Sequence, residues 1–377
     1  MTKRFSSSLL LSTCLLTTAL SGWGNSDYVP PSVMPTPGPT LDVTTFPLNE
    51  DQQWFVKPSL LIWRPYQDDI DTGFALKTKS TEPVIHKDKT QNIHFDWNTG
   101  VRLNIGRYLP NHDQWDITFT TTFFYSDTKK AVHGQGFGST SATGLVTITD
   151  GWNPELLGTS FKTHFNWRIN YFTWDLALGR LYNLTPKFVI HPYICLRTML
   201  IYEKYTNKNS SAFMSTPTTL VPRETTFRAY NSVWGLGPRL GTDFMFYFGR
   251  GWSFIGGLSG AIVMGRNHIK EKINGFIFGN GQTASTPAFL KVSDADTVMR
   301  ANIEGNIGLG WERWVKNHSV RIAPSLLFEV TEWFLINDWV STNLPSTTGS
   351  PDWGMFSARR MGDLGFLGFT LNLQVDF

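Results

Sequence analysis

This chain of 377 residues is rich in aromatic side chains and poor in charge: 14% of its residues are aromatic and only 17% are charged. Soluble domains carry about 25% charged residues, so the composition is unusual for a protein surrounded by water. A membrane-spanning helix needs about 20 consecutive apolar residues, and the sequence contains no apolar run of comparable length. A helical membrane protein is therefore excluded. The net charge of +3 is dispersed without a basic block, so the sequence predicts no nucleic-acid partner.

Residues 1–21 have the three parts of a cleaved secretory signal peptide. Lys3 and Arg4 precede an apolar run, and Ala19 and Ser21 supply small residues at the predicted cleavage site. Cleavage there leaves Cys195 as the single cysteine of the mature chain, so we expect no intramolecular disulfide.

Residues 22–53 are predicted to form an extended periplasmic leader, because their prolines disfavour both a helix and a sheet ladder. The remainder, residues 54–377, is predicted to form one barrel domain. These segments together predict export across the inner membrane of a Gram-negative-type bacterium and insertion into its outer membrane.

From residue 54 onward, apolar and polar residues alternate with the period of a β-strand. The last segment shows the pattern most clearly, because every second residue from Leu367 to Phe377 is apolar. In 161–179 the apolar face changes phase near Tyr171 and Phe172, which predicts a β-bulge there. The predicted strands lie at 54–64, 97–107, 115–126, 161–179, 188–200, 239–248, 252–266, 300–311, 320–330 and 367–377.

The connections between these strands are short and long in alternation. Structureless loops of such length are uncommon in compact soluble domains, whereas transmembrane barrels have short periplasmic turns and long external loops. The predicted fold is therefore all-β, a transmembrane antiparallel up-and-down β-barrel of about ten strands. Twelve strands remain an alternative, since residues 145–149 could form a hairpin arm. The long polar connections are predicted at 65–92, 127–160, 206–226, 269–296 and 334–359.

Aromatic residues cluster toward the predicted strand ends, where amphipathic rings favour the lipid headgroup level. Phe377 ends an alternating strand and is predicted to be the signal that the barrel assembly machinery reads. The predicted partners are therefore outer-membrane lipid, periplasmic chaperones and that machinery. The predicted girdle residues are Trp54, Trp63, Trp97, Trp115, Tyr125, Trp174, Tyr202, Trp252, Trp311, Trp314 and Trp333.

Patterns typical of catalytic, metal or cofactor sites are missing from the sequence. The 8 histidines are scattered without the close spacing of a metal-binding pair. We also find no nucleophile elbow, phosphate-binding glycine loop or cysteine–histidine motif. The sequence therefore predicts a protein that is not an enzyme and needs no cofactor or metal.

The polar faces of the predicted strands carry charged residues, which we expect to face the interior because an arginine facing lipid at mid-membrane costs about 2–4 kcal/mol. Two functions stay open. The first is a porin that allows passive diffusion of ions and small hydrophilic solutes through a polar lumen, and the alternative is a surface-exposed structural or adhesin/antigen barrel with a plugged lumen. The predicted pore-lining residues are Lys57, Arg102, Asp116, Arg168, Asp175, Arg197, Arg239, Asp243, Arg300, Glu304, Arg321 and Glu329.

Several motifs lie at the ends of predicted strands: 95–100, 105–106, 112–116, 174–180, Pro192 with Arg197, 234–241, and Glu329 with Trp333. In these motifs the chain, from about residue 54 to its C-terminus, resembles the Legionella-type major outer membrane proteins, a group that includes MOMP-like porins of environmental chlamydiae. The resemblance implies an outer-membrane barrel with porin activity, surface-exposed antigenic loops and association into homo-oligomers. The long loops are also predicted to contact host surfaces. The resemblance implies no catalytic residues. Cys195 departs from the small residue expected at its position.

Overall fold

The computed structural model describes residues 54–67, 71–78, 89–92, 95–109, 114–133, 145–149, 160–216, 219–277, 286–315, 320–342 and 357–377. The predicted signal peptide at 1–21 and the predicted leader at 22–53 lie outside these residues. Within the described ranges, no helix is long and apolar enough to cross a membrane.

The described residues form fifteen β-strands. Ten of them close an antiparallel barrel in which each strand pairs with the barrel strand that precedes it and the one that follows it. The strands are β1 (Trp54–Gln67), β2 (Asp71–Thr78), β3 (Lys89–Asn92), β4 (Asn98–Tyr108), β5 (Trp115–His133), β6 (Leu145–Thr149), β7 (Ser160–Arg180), β8 (Tyr182–Thr185), β9 (Phe188–Thr216), β10 (Thr219–Gly249), β11 (Trp252–Ile277), β12 (Thr286–Trp311), β13 (Arg313–Val315), β14 (Val320–Thr342) and β15 (Ser357–Asp376).

The first and last barrel strands, β1 and β15, pair and close the sheet. Trp54 and Phe377 exchange backbone hydrogen bonds of 3.1 and 2.9 Å at the end of this pair. The predicted ten-strand barrel is confirmed. Strand β6, the candidate for a twelve-strand barrel, instead joins β2 and β3 in a separate sheet, while β8 and β13 add short pairings to β9 and β14.

The two ends of the barrel differ in their connections. We call the end that holds Trp54, Phe377 and the short connections the turn end, and the opposite end the loop end. Strands β9 and β10 contain 29 and 31 residues, although about 9–11 residues suffice to cross a membrane. The predicted loops at 206–226 and 269–296 are therefore mostly strand, because the backbone ladder continues after the outer face has become polar.

The predicted bulge near Tyr171 and Phe172 is wrong. Strand β7 pairs with β5 in unbroken register over residues 162–180. The apolar face changes because Trp167 and Tyr171 are buried on the inner face near the loop end, whereas Trp174 is exposed on the outer face nearer the turn end. The inner surface of the barrel therefore changes from polar to apolar along its axis.

The outer face carries the predicted aromatic girdle in part. Trp54, Trp97, Tyr125, Trp174, Tyr202 and Trp252 are 39–49% exposed on that face. Trp63 and Trp333 were expected among them, but both are buried on the inner face. Their strands place them at inward positions of the alternation, so proximity to a strand end did not decide which way the rings face.

Candidate functional site in the lumen

The turn half of the barrel encloses a polar cavity of about 300 Å³. Its walls consist of inner-face residues from β1, β4, β5, β7, β9, β10, β11, β12, β14 and β15. Strand alternation explains this lining, because every second side chain of each strand must point into the lumen. The cavity is the part of the molecule where most of the buried charges meet.

Arg197 on β9 lies at the centre of these charges and is only 3% exposed. Its guanidinium donates to Asp175 in a bidentate pair, with Nε–Oδ1 2.8 Å and Nη2–Oδ2 2.7 Å. It also pairs with Glu304 on β12, with Nη2–Oε2 3.2 Å. Bidentate geometry suits arginine, whose planar fork matches a carboxylate.

Arg239 on β10 shares the two acids with Arg197. Its Nη1 donates to Oδ2 of Asp175 at 2.9 Å, and its Nη2 pairs with Glu304. Ser259 Oγ accepts from its Nε and Nη2 at 3.1 and 2.9 Å. Two arginines and two carboxylates thus form a neutral, closed group across strands β7, β9, β10 and β12. Each of these buried charges needs a partner of opposite charge, since a buried charge without one is strongly unfavourable.

Arg102 on β4 forms a second pair in the same cavity. Its Nη1 donates to Glu329 Oε1 at 2.9 Å, and its Nε donates to Thr122 Oγ1 at 3.2 Å. The guanidinium also lies 5.3 Å from the centre of the Trp63 ring, a cation–π distance. Arg102 therefore joins the charged cavity to the apolar part of the lumen.

A third group lies at the turn end of the cavity. His191 Nε2 lies 2.6 Å from Asp116 Oδ2, and its Nδ1 lies 3.9 Å from Asp243 Oδ2. Arg321 pairs with Asp376 and, at 3.1 Å, with Glu312. His191, Asp376 and Glu312 were not predicted to line the lumen, although His191 occupies an inward position of an alternating strand.

Lys57 and Asp243 are the least engaged charges of the cavity. Lys57 forms no ion pair with a residue that the structure describes, and the Asp243 side chain is 44% exposed although it faces inward. The cavity is therefore spacious enough for water at this point, and these two groups are the ones that a solute inside it would meet.

Most of the residues predicted to line a pore surround this cavity, and their role in a pore stays a prediction. Arg300 is buried on the inner face, four residues before Glu304 on β12 and so nearer the loop end. Arg168 was expected to face inward but lies on the outer face, where its side chain is 43% exposed and pairs with Asp127 at 3.4 Å. The predicted residues that line the cavity are Lys57, Arg102, Asp116, Asp175, Arg197, Arg239, Asp243, Glu304, Arg321 and Glu329.

An aromatic layer closes the lumen on the loop side of the cavity. We use that name for Trp63, Phe124, Tyr171, Trp333 and Phe366, which are each at most 2% exposed. Neighbouring ring centroids are 4.8–6.5 Å apart, within the range of favourable aromatic contacts. The five rings come from five strands, so the layer spans the lumen.

Small and aliphatic residues of β9, β10 and β11 complete the core around the aromatic layer. Met199, Val233 and Val263 are buried in the same cluster. At Gly235 a Cβ atom would lie 3.2 Å from Val263, so even alanine would be tight there. Apolar and polar alternation alone does not predict this layer, whereas the inward parity of Trp63 and Phe124 does.

The family described as "Legionella pneumophila major outer membrane protein precursor" matches residues 45–377. The chain belongs to this family. The predicted family is thus confirmed, and with it an outer-membrane location for the barrel. No curated protein matched the sequence.

Solved structures similar to this chain include several outer-membrane proteins. The outer membrane protease OmpT from Escherichia coli is 9% identical over 89% of this chain and 100% of its own, with a TM-score of 0.36. A major outer membrane protein from Thermus thermophilus is 12% identical over 86% and 99%, with a TM-score of 0.30. The Pseudomonas putida toluene transporter TodX is 10% identical over 86% and 89%, with a TM-score of 0.30. At these scores the likenesses carry no argument about function.

Proposed function

We propose that this outer-membrane barrel is a porin whose lumen is closed, in the conformation described, by the aromatic layer. The observation that carries the proposal is the meeting of a charged cavity with five buried rings inside one barrel. Ions and small hydrophilic solutes would enter the cavity from the turn end, which we assign to the periplasm. They would pass only when rings of the layer move aside, and no covalent step is involved.

The size of the layer predicts how often the lumen opens. Exposing one large buried apolar side chain costs about 1.5–3 kcal/mol, so exposing all five rings would cost roughly 8–15 kcal/mol. Each 1.4 kcal/mol lowers a population by about tenfold. Full opening is therefore rare, and displacement of one or two rings is the cheaper route. We expect slow flux through the natural protein.

A structural barrel that displays its loop end at the cell surface is the second candidate. The observation that favours it is the length of β9 and β10, which exceeds that of a membrane crossing by about 20 residues each. In this proposal the lumen stays plugged, and the extended wall and its loops act as an adhesin or antigen through host-surface contacts. Lipid, periplasmic chaperones, the assembly machinery and further copies of the chain are proposed partners in either case.

Flux of a small sugar into liposomes tests the porin proposal. The protein with Trp333→Ala should admit sugar at least about tenfold faster than the natural protein, because part of the layer is removed. Trp174→Ala is the matched control, since Trp174 is exposed on the outer face, and it should leave flux unchanged.

Three results would contradict the proposal. If neither the natural protein nor Trp333→Ala admits sugar, the barrel is no porin. Flux only after the truncation would favour the structural barrel. Rapid flux that does not respond to Trp333→Ala would show that the aromatic layer is not the barrier.

A further inference from the structure

A single carboxylate is buried among amide groups on the loop side of the aromatic layer. Glu203 on β9 is 2% exposed. Gln67 Nε2 donates to its Oε1 at 3.0 Å, and Asn231 Nδ2 donates to its Oε2 at 3.3 Å. No lysine or arginine of the described ranges forms an ion pair with Glu203. An ionised carboxylate buried without a counter-charge is costly, so this group either takes up a proton or needs a positive charge beside it.

The residues around Glu203 come from strands that are not neighbours. Three strands lie between β1, which carries Gln67, and β9, so Gln67 reaches Glu203 across the lumen. Asn231 lies on β10, and Asn337 lies on β14. Glu203, Gln67, Asn231 and Asn337, which we call the Glu203 site, thus connect opposite walls of the barrel.

A β-bulge in β14 delivers Asn337 to this site. The register of β14 against β15 shifts between Trp333 and Asn337, and Leu335 has a φ of 55°, in the left-handed region that leucine rarely adopts. The Leu335 amide donates to Asp363 Oδ1 at 2.7 Å, and the Ile336 carbonyl accepts from Asn231 at 3.2 Å. Bulges re-aim side chains, and this one turns an amide and a carbonyl inward.

Two buried oxygen atoms of the site have no hydrogen-bond partner. They are Gln67 Oε1 and Asn231 Oδ1, on residues that are 8% and 2% exposed. In addition, the Asn337 amide lies 2.7 and 2.9 Å from the two Glu203 carboxylate oxygens, and its Nδ2 donates to both. These amide donors satisfy the carboxylate but leave the Gln67 and Asn231 oxygens unpaired.

We propose that the Glu203 site binds a monovalent alkali cation, with sodium as the natural occupant. One carboxylate balances one positive charge, and carboxylate, amide and carbonyl oxygens are ligands that hard cations prefer. A divalent cation would leave a net charge buried at a site with a single acid. An amide turned by 180° presents oxygen in place of nitrogen with little change in shape, so amides that donate to the empty carboxylate can also ligate the cation.

The bound cation would hold the closed lumen together. It links β1 and β14 to β9 and β10, and Asn337 lies only four residues after Trp333 of the aromatic layer. Binding to the folded state alone stabilises that state by mass action. The cation site does not depend on whether the lumen conducts, because a permanently closed barrel would be stabilised in the same way.

Thermal unfolding in detergent micelles tests the site directly. At equal ionic strength, the melting temperature of the natural protein should be about 2–4 °C higher in sodium chloride than in choline chloride. Glu203→Gln should lose this difference, because the charge is gone. Glu271→Gln is the matched control, a change of another buried inner-face carboxylate, and it should keep the difference.

A second measurement applies if Glu203→Gln does not fold. Crystals of the natural protein soaked in thallium(I), a heavy stand-in for an alkali cation, should show an anomalous peak among the oxygens of the Glu203 site. Equal melting temperatures in the two salts together with no peak would overturn the proposal and leave a protonated or water-filled site. Stabilisation by calcium but not by sodium would overturn the assignment to a monovalent cation.

Discussion

The cavity and the aromatic layer fill neighbouring parts of the lumen with opposite kinds of chemistry. In the turn half, Arg197, Arg239 and their acids close on one another around a cavity, whereas in the aromatic layer beyond it buried rings pack against one another. The outer face gives no sign of this change, because exposed apolar residues flank both the cavity and the aromatic layer. A narrow barrel must fill its interior with side chains, and either charges or rings can do so.

The halves should respond differently to the loss of one group. A lost partner in the charged half leaves other charges buried and unpaired, so the cost is electrostatic and extends to several residues. A lost ring in the aromatic half leaves a void that neighbouring rings can partly fill.

Arg197→Ala should destabilise the barrel by about 3–5 kcal/mol, because Asp175 and Glu304 would then face each other with fewer cations. Urea unfolding in lipid vesicles measures the effect. A companion variant, Arg197→Met with Asp175→Leu, removes charges of both signs and should recover part of the loss. If Arg197→Ala cost less than about 1 kcal/mol, the ion-pair account of the turn half would be wrong.

Gly365→Ala probes close packing on the outer face, one residue before Phe366 of the aromatic layer, and should lower the free energy of unfolding by about 1–3 kcal/mol. A Cβ atom at Gly365 would overlap the Tyr66 ring, whose hydroxyl donates to Glu332 Oε2 at 2.7 Å. The same unfolding assay measures the change. Gly260→Ala is the control, since the nearest atom to its Cβ would be 3.6 Å away, and equal effects at both sites would contradict the packing account.

Arg168→Ala should have the smallest effect on the free energy of unfolding, below about 1 kcal/mol. The ion pair of Arg168 with Asp127 lies exposed on the outer face, where such pairs contribute little. Screening by salt should reduce even this effect, whereas the Arg197 group should be insensitive to salt. Unfolding at low and high salt compares the two arginines. A large loss of stability in Arg168→Ala that does not depend on salt would contradict the predicted difference between inner-face and outer-face charges.

Alternation in the sequence was enough to predict the barrel, its ten strands and the outward position of residues such as Trp97 and Trp174. It could not predict where β9 and β10 end, since ladder hydrogen bonds continue after the apolar pattern has stopped. Nor could it pair Arg197 with Asp175 and Glu304, because register and barrel closure decide which residues meet across the lumen.

Arg168 and Trp63 show why the inner face was only partly predicted. Polarity alone predicts that Arg168 faces inward and that Trp63 belongs to an outer girdle. Strand parity in fact places each on the opposite face. Near the loop end, the inner wall is apolar where Trp63 lies and the outer face is polar where Arg168 lies. Continuing the parity of Lys57 along β1 to Trp63 would have predicted the ring's position.

Sided labelling of one engineered cysteine tests the closure of the lumen most directly. We would place Asp243→Cys, in the cavity, in a chain with Cys195→Ser and reconstitute it in vesicles with the loop end outward. A membrane-impermeant thiol reagent should modify the engineered cysteine from the turn end but not from the loop end, and adding Trp333→Ala should remove that protection. Rapid modification from the loop end with all five rings intact would contradict a lumen closed by the aromatic layer.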